Sequence, residues 1–197
     1  MTITTARPYP RRIDNPGGPI EMRLLAASDA EAVLAFAQRL PTHDLLFLRR
    51  DIAQPKVVAA WIEATQADAI VTVLAWRGDT VVGCATIVRD ALSWSCHVGE
   101  MRVIVEPALR GSGLGQALMG ECFAIAVELG IEKLTANMTV DQRGAIEMFE
   151  GLGFRPEALL KDQVKDREGR THDIVILAQD VGRFLGQQTA YGLGATA

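Results

Sequence analysis

Little in this sequence suits metal, disulfide or membrane chemistry. Its three cysteines, Cys84, Cys96 and Cys122, are odd in number, irregularly spaced and set in apolar or strand-like stretches. That pattern argues against a disulfide framework and for a reducing compartment, so a cytoplasmic location is expected. The cysteines lack zinc-site spacing and His43, His97 and His172 lie far apart, so no metal site is expected. No apolar run reaches the ~20 residues that span a bilayer, so no membrane partner is expected. The opening MTITTARPYPRR has no apolar region behind its charges, so it does not read as a secretory signal. A net charge of −4 gives no basic excess and argues against nucleic acid as the main partner. No internal repeat or linker appears, and 197 residues with 49% hydrophobic content suit one domain with a sizeable core.

What the sequence does contain is concentrated between Met101 and Gly130, MRVIVEPALRGSGLGQALMGECFAIAVELG. The apolar run Met101–Val105 reads as a strand, which Pro107 should stop because proline cannot donate to a ladder. A loop, Ala108 to Ser112, follows, and Gly113 and Gly115 open a helix. Leu114, Ala117, Leu118, Cys122, Ile125 and Leu129 recur at three- and four-residue steps, giving that helix one buried face. Gly130 marks its end.

Such a junction binds anions. The first helical N–H groups have no intrahelical partner, the helix dipole is positive at the same end, and glycine lets a ligand reach the backbone. Phosphate or pyrophosphate suits it best. Three amides on a charged group contribute roughly 1.5–3 kcal/mol each. Their gross sum compares with the roughly 8 kcal/mol of micromolar binding, before association costs. An NTPase-type loop needs Gly-Lys-Ser/Thr, whereas Gln116-Ala117 follows the last glycine here. A dinucleotide fingerprint fails too, since its third position is Gln116 or Leu118 in the two registers.

The spacing Arg110-x-x-Gly113-x-Gly115 resembles the hallmark (Arg/Gln)-x-x-Gly-x-(Gly/Ala) of the GNAT superfamily of N-acetyltransferases. A second stretch, Ala145-Ile-Glu-Met-Phe-Glu-Gly-Leu-Gly-Phe154, is similar to that family's A-I-x-L-Y-E-K-L-G-F helix and turn. The resemblance covers roughly residues 20–180. The resemblance implies an α/β (α+β) GNAT fold: a mixed, mostly antiparallel sheet of about 6–7 strands with helices on both faces. It also implies an acetyl-CoA-dependent N-acetyltransferase acting on a small-molecule or amino-acid-like amine by direct attack in a ternary complex. The alternative is a non-catalytic acyl-CoA-binding or regulatory module of the same fold. Homodimerisation is common in the family and stays open here.

By the same resemblance, Val103, Ile104 and Val105 would pair with the pantetheine arm where two strands part. Arg110, Gly111, Ser112, Gly113, Leu114, Gly115 and Gln116 would hold the pyrophosphate. Asn137 would supply a further polar contact, or else serve as a strand-end turn residue. Gln142 stands where the family has Asn, keeping the amide with a different reach, and Phe149 stands where a Tyr often acts as general acid. Phenylalanine cannot donate a proton, although a thiol of pKa near 8.5 can leave unaided. The acceptor amine must be neutral to attack, and a lysine-like amine is neutral in only about one molecule in 10³ at pH 7. A general base lowers that barrier. Glu100 is the candidate, on the same strand face as Arg102 and Ile104; the plain alternative is an ion pair with Arg102. His97 is the weaker candidate, an exposed strand histidine on the simpler reading.

Along the chain, residues 1–19 are expected to form a flexible arm or a strand-like extension used in dimer contact. Residues 20–182 are expected to form the acetyltransferase domain and 183–197 a C-terminal tail. Within the domain, Ile20–Leu25 reads as a strand, and Ser28–Glu31 as a capping box ahead of a helix to about Leu40. Leu45–Ala53 is open between loop and short helix, and Pro55 starts a helix to about Gln66. Ala69–Trp76 and Thr80–Arg89 form a hairpin, and a further antiparallel strand spans about Ser93–Val105 with a bulge at Gly99. Lys133–Met138 follows the motif helix as a parallel strand, Gln142–Gly151 is helical, and Arg155–Lys165 with Thr171–Gln179 closes the order. The first two helices, the loop Pro41–Arg50 and the hairpin Asp166–Arg170 would wall the acceptor pocket.

Overall fold

The computed structural model describes residues 7–183. One eight-stranded sheet runs in the order β1-β2-β3-β4-β5-β6-β8-β7. The strands are β1 (Arg11–Ile13), β2 (Ile20–Leu24), β3 (Ile70–Arg77), β4 (Thr80–Val88), β5 (Val98–Val105), β6 (Lys133–Thr139), β7 (Arg155–Lys165) and β8 (Thr171–Asp180). The helices are α1 (Ala30–Arg39), α2 (Pro55–Gln66), α3 (Leu114–Glu128) and α4 (Arg143–Gly151). The sheet is mixed and mostly antiparallel, as expected, with one strand more than the upper estimate.

Every neighbouring pair is antiparallel except β5 and β6, which the crossover helix α3 makes parallel. Their ladder is short: Val98, Gly99 and Glu100 pair with Lys133, Leu134 and Thr135, and nothing beyond pairs. From Met101 on, β5 stays on β4 while β6 stays on β8. The two strands therefore part in mid-sheet and leave a wedge-shaped opening between them.

Two apolar layers cover the sheet. One joins α3 and α4 to Val103, Val105, Leu134, Ala136, Phe149 and Phe154. The other packs Val33, Phe36 and Ala37 of α1 and Val58 of α2 against Leu74, Trp76, Cys84 and Ile104. The alternation of β5 thus feeds both layers, valines one way and Ile104 the other.

Several local expectations need correction. The capping residue before α1 is Asp29, whose carboxylate accepts from the Ala26 N–H at 2.9 Å, so the box sits two residues earlier than Ser28–Glu31. The strand expected from Ser93 begins only at Val98, because residues 91–97 form turns. Gly99 is no bulge: its pairing with Leu134 is regular, and a Cβ there would lie 2.8 Å from Ile131 Cδ1. Close packing, not a register slip, explains that glycine. Leu45–Ala53 divides into the end of a 3-10 turn (Thr42–Leu45) and irregular chain. Within the stretch read as an arm or strand-like extension, Arg11–Ile13 pairs with β2 of the same chain. Residues 1–6 and the tail beyond Arg183 lie outside the described residues.

Candidate active site

The opening between β5 and β6 widens into a cleft of about 690 Å³. Its walls come from β5 (Met101 to Val105), the loop before α3, the end of β6 and the start of α4. Of the expected cofactor residues, Val103, Ile104, Val105, Arg110, Gly111, Gly113, Gly115, Gln116, Asn137, Gln142 and Phe149 all line it. Ser112 and Leu114 do not: the Ser112 hydroxyl turns back to the Leu109 carbonyl at 2.7 Å, and Leu114 is fully buried in the core. Their part in anion binding would fall to backbone groups.

The loop earns its shape from glycine. Gly111 (φ +75°) and Gly113 (φ +85°) are left-handed, a conformation costly for other residues. Gly113 is the N-cap of α3, and among the described residues its N–H has no hydrogen-bond partner. Gly115 serves differently: a Cβ there would sit 2.9 Å from Met148 Sδ, so its bareness lets α4 close on α3.

Gln142 and Phe149 are held from behind. The Gln142 Oε1 accepts from the Thr139 N–H at 3.3 Å, fixing the turn from β6 into α4. Phe149 is 3% exposed and packs edge-on against Phe154, their ring centres 5.0 Å apart. Asn137 points to Glu100, its Nδ2 lying 3.4 Å from Oε1.

Glu100 sits at the fork itself and does not line the cleft. Arg102 Nε donates to its Oε1 at 2.7 Å, and Arg49 Nη2 lies 3.6 Å from Oε2. The ion pair with Arg102 that strand alternation allowed is therefore present. His97 is exposed and ends the turn before β5; its carbonyl accepts from the Glu132 and Lys133 N–H groups.

A second, smaller cavity of about 240 Å³ lies on the other face of β5. Arg49, Arg50 and Ile52 form its rim, Val57, Ala60 and Trp61 of α2 one wall, and Cys84, Thr86, Arg102 and Ile104 its floor. Of the walls expected for an acceptor pocket, α2 and the end of the Pro41–Arg50 loop line it, and α1 and the β7–β8 hairpin do not. Trp61 Nε1 donates to Thr72 Oγ1 at 3.0 Å, which fixes the indole in the cavity wall. Burial pushes the Cys84 thiol up to about 12, so it stays protonated and is no nucleophile. Arg102 and Ile104 line both cavities, which therefore meet at β5.

Sequence reasoning gave the loop Pro41–Arg50 to the acceptor pocket and did not place its residues, or Asp141 and Arg143, at the mouth of this cleft. His43, Asp44 and Phe47 reach it from the α1–α2 loop, and Asp141 and Arg143 from the turn into α4. His43 Nε2 lies 2.7 Å from Asp141 Oδ2, and Arg110 Nη2 lies 2.5 Å from Asp44 Oδ2. The Asp141 carboxyl is held below its ordinary range: burial pushes it up, but hydrogen bonding and the His43 ring outweigh that. No periodicity marks these residues: His43 and Asp44 lie in a single 3-10 turn, Phe47 and Asp141 in turns and Arg143 at the first position of α4, and only the fold brings them over the cleft.

A family model described as the acetyltransferase (GNAT) family matches residues 34–154, and the chain belongs to that family. Among curated proteins it is similar to YwnH of Bacillus subtilis (strain 168), named provisionally as a phosphinothricin acetyltransferase. The two are 29% identical over 82 residues, which are 42% of this chain and 50% of YwnH, so the match spans half the length of that relative. Similar solved structures include a GNAT-family acetyltransferase from Streptococcus pneumoniae (TM-score 0.71, 20% identity, covering 82% of this chain and 99% of that one). The yncA protein of Salmonella typhimurium, solved with its cofactor acetyl-CoA, has TM-score 0.70 and 20% identity over 82% of this chain and 94% of that one. Spermidine N-acetyltransferase from Vibrio cholerae, in complex with CoA and spermine, has TM-score 0.70 and 14% identity over 84% of this chain and 98% of that one. At these identities the structures speak for the fold. Among the described residues no helix is long and apolar enough to cross a membrane.

Proposed function

We propose that this chain transfers an acetyl group from acetyl-CoA to the primary amine of a small, amino-acid-like molecule. The observation that carries this is the pair of cavities meeting at Arg102 and Ile104 on β5. One cavity opens beside the unpaired Gly113 amide, and the other is largely apolar, with Arg49 and Arg50 at its rim and Arg102 in its floor. The pyrophosphate sits at the N-terminus of α3, against the Gly113 N–H and the Arg110 guanidinium. The pantetheine arm follows β5, where Val103 to Val105 have no β6 partner and keep backbone groups free for its amides. The thioester then lies at the fork, next to the acceptor cavity.

The acceptor enters beside Trp61. Arg49, Arg50 and Arg102 favour an anionic group on it, such as a carboxylate, and Glu100 keeps part of that charge balanced. The neutral amine attacks the thioester carbonyl, the tetrahedral intermediate collapses, and the C–S bond breaks to release CoA thiolate. Glu100, through a water molecule or by releasing Arg49, accepts the amine proton. Phe149 donates nothing, so the thiolate is protonated by solvent.

Mixing the protein, acetyl-CoA and a panel of amines while reading free thiol tests this directly. Release with amino acids and none with any uncharged amine is the expected result. No release with any amine, together with thermal stabilisation by CoA, would favour the non-catalytic reading. For Glu100, substitution to Gln should lower turnover at neutral pH at least tenfold, with partial recovery at high pH where the amine is already neutral. An unchanged pH–rate profile would remove Glu100 from proton transfer.

A further inference from the structure

The loop that opens α3 is soft by composition, with two left-handed glycines flanking Ser112. Yet it is held from outside the motif, by the segment between β1 and β2. Asn15 Nδ2 donates to both the carbonyl and the hydroxyl oxygen of Ser112, each at 3.1 Å. Its Oδ1 in turn accepts from Gly17 N–H and from Arg77 Nη2, both at 3.4 Å. Gly17 packs against the Arg77 guanidinium, where a Cβ would come within 2.4 Å of Nη2.

The same N-terminal segment is fastened a second time, further along α3. Glu121 is 7% exposed, on the helix face that packs inward. Its carboxylate meets Arg7 Nη1 at 3.2 Å, Arg11 Nη1 at 3.1 Å and the Tyr9 hydroxyl at 2.9 Å. Burial, then the hydrogen bond to Glu121, raises the Tyr9 hydroxyl far above its ordinary value, so it stays a donor. Two anchors, one on the loop before α3 and one on the helix, joined by β1 on β2, make residues 7–17 a brace.

The consequence falls on one amide. Across a trans peptide the carbonyl of one residue and the N–H of the next point in opposite directions. Asn15 pulls the Ser112 carbonyl toward the N-terminal segment, which turns the Gly113 N–H the other way, and Gly113 lines the cleft. We propose that Asn15 is a positioning residue for the cofactor: through Ser112 it presets the Gly113 amide for the diphosphate of an acyl-CoA. This rests on the reading of the cleft as a CoA site.

Two measurements on the 197-residue chain test it: calorimetric titration of CoA, and hydrogen exchange of the amides of residues 111–115 without ligand. Asn15→Ala and Asn15→Asp, which both lose the donor, should raise the CoA Kd about five- to tenfold. Both should also speed exchange at 111–115 while exchange in β3 and β4 is unchanged. Arg12→Ala is the control, since Arg12 lies on the same segment, 80% exposed, and among the described residues its side chain pairs only with Glu21; it should change neither. If the alanine variant does not fold, the aspartate variant carries the test, because it keeps the shape and the acceptor. Unchanged Kd and exchange in the Asn15 variants would overturn the proposal, as would an equal effect from Arg12→Ala. Failure of the wild-type chain to bind CoA overturns the functional reading instead, and the exchange comparison still decides whether Asn15 orders the loop.

Discussion

Gly113 carries the turn into α3 at φ +85° with open space where a Cβ would stand. Nothing would clash with an alanine there except its own backbone, so Gly113→Ala isolates conformational strain. The left-handed region costs a non-glycine residue roughly 1–2 kcal/mol. Either the loop keeps its shape and the protein loses that stability, or it relaxes and the amide turns away from the ligand. Gly113→Ala should therefore lower the melting temperature by several degrees or weaken CoA binding about tenfold; melting curves with and without CoA separate the two. Gly115→Ala is a contrasting case, because its Cβ meets the movable end of Met148 rather than a strained backbone. The family pattern accepts alanine at that position, and this geometry gives the reason.

At the scale of elements, the α1–α2 loop is the part that spans the cleft. His43 pairs with Asp141 on one wall, Asp44 with Arg110 on the other, and Arg49 reaches Glu100 at the fork. Arg167 of the β7–β8 turn pairs with Asp51 at the loop's far end, at 2.9 Å. The Asp44 carboxylate occupies the guanidinium proposed to face the pyrophosphate, so ligand and loop compete for Arg110. Half-exposed pairs of this kind are worth about 0–1 kcal/mol, which bounds the competition at roughly fivefold. Asp44→Asn should accordingly tighten CoA binding by about two- to fivefold and make it more salt-dependent; titration at two ionic strengths measures both. Weaker binding would show that Asp44 supports the loop more than it opposes the ligand.

Over the whole molecule, two apolar layers flank one sheet, and the parted strands run between them. The β7–β8 hairpin extends beyond these layers, and its end is tied by a local charge cluster. Asp166 accepts from the Arg170 N–H and guanidinium, both at 2.8 Å, and its Oδ2 lies 2.9 Å from His172 Nε2. The His172 hydrogen bond is the chief cause that holds the Asp166 carboxyl far below its ordinary range; burial opposes it, and the Arg170 bonds add to it. A carboxyl depressed in the folded state stabilises above its unfolded pKa, near 3.9, and that contribution fades as pH falls through and below it. Asp166→Asn should lower the melting temperature at pH 7, and the gap to the wild type should narrow below about pH 4. A gap independent of pH would assign the effect to hydrogen-bond geometry instead of charge.

Much of this architecture was legible in the chain. The strand stopped by Pro107, the glycine-flanked helix start and the Ala145–Phe154 helix and turn are local signals, and each formed as read. So did the hairpin at Gly78 and Asp79 and the helix beginning at Pro55. The misreadings share a cause: Gly99 and the capping box were judged from neighbours in sequence, whereas Ile131 and the Ala26 N–H are what those residues meet.

By itself, then, the sequence determined most of the elements and the glycine-flanked turn into α3, because helix periodicity, proline stops and left-handed glycines act within a few residues of backbone. Only the tertiary structure decided what surrounds that turn: the second cavity behind Arg102, the ion pairs of His43 and Asp44, and Asn15 behind Ser112. Those contacts join residues far apart in the chain, with Asn15 and Ser112 separated by 97 positions. Side-chain hydrogen bonds and ion pairs of that range leave no spacing in the sequence, since they exist only once the sheet has brought their elements together.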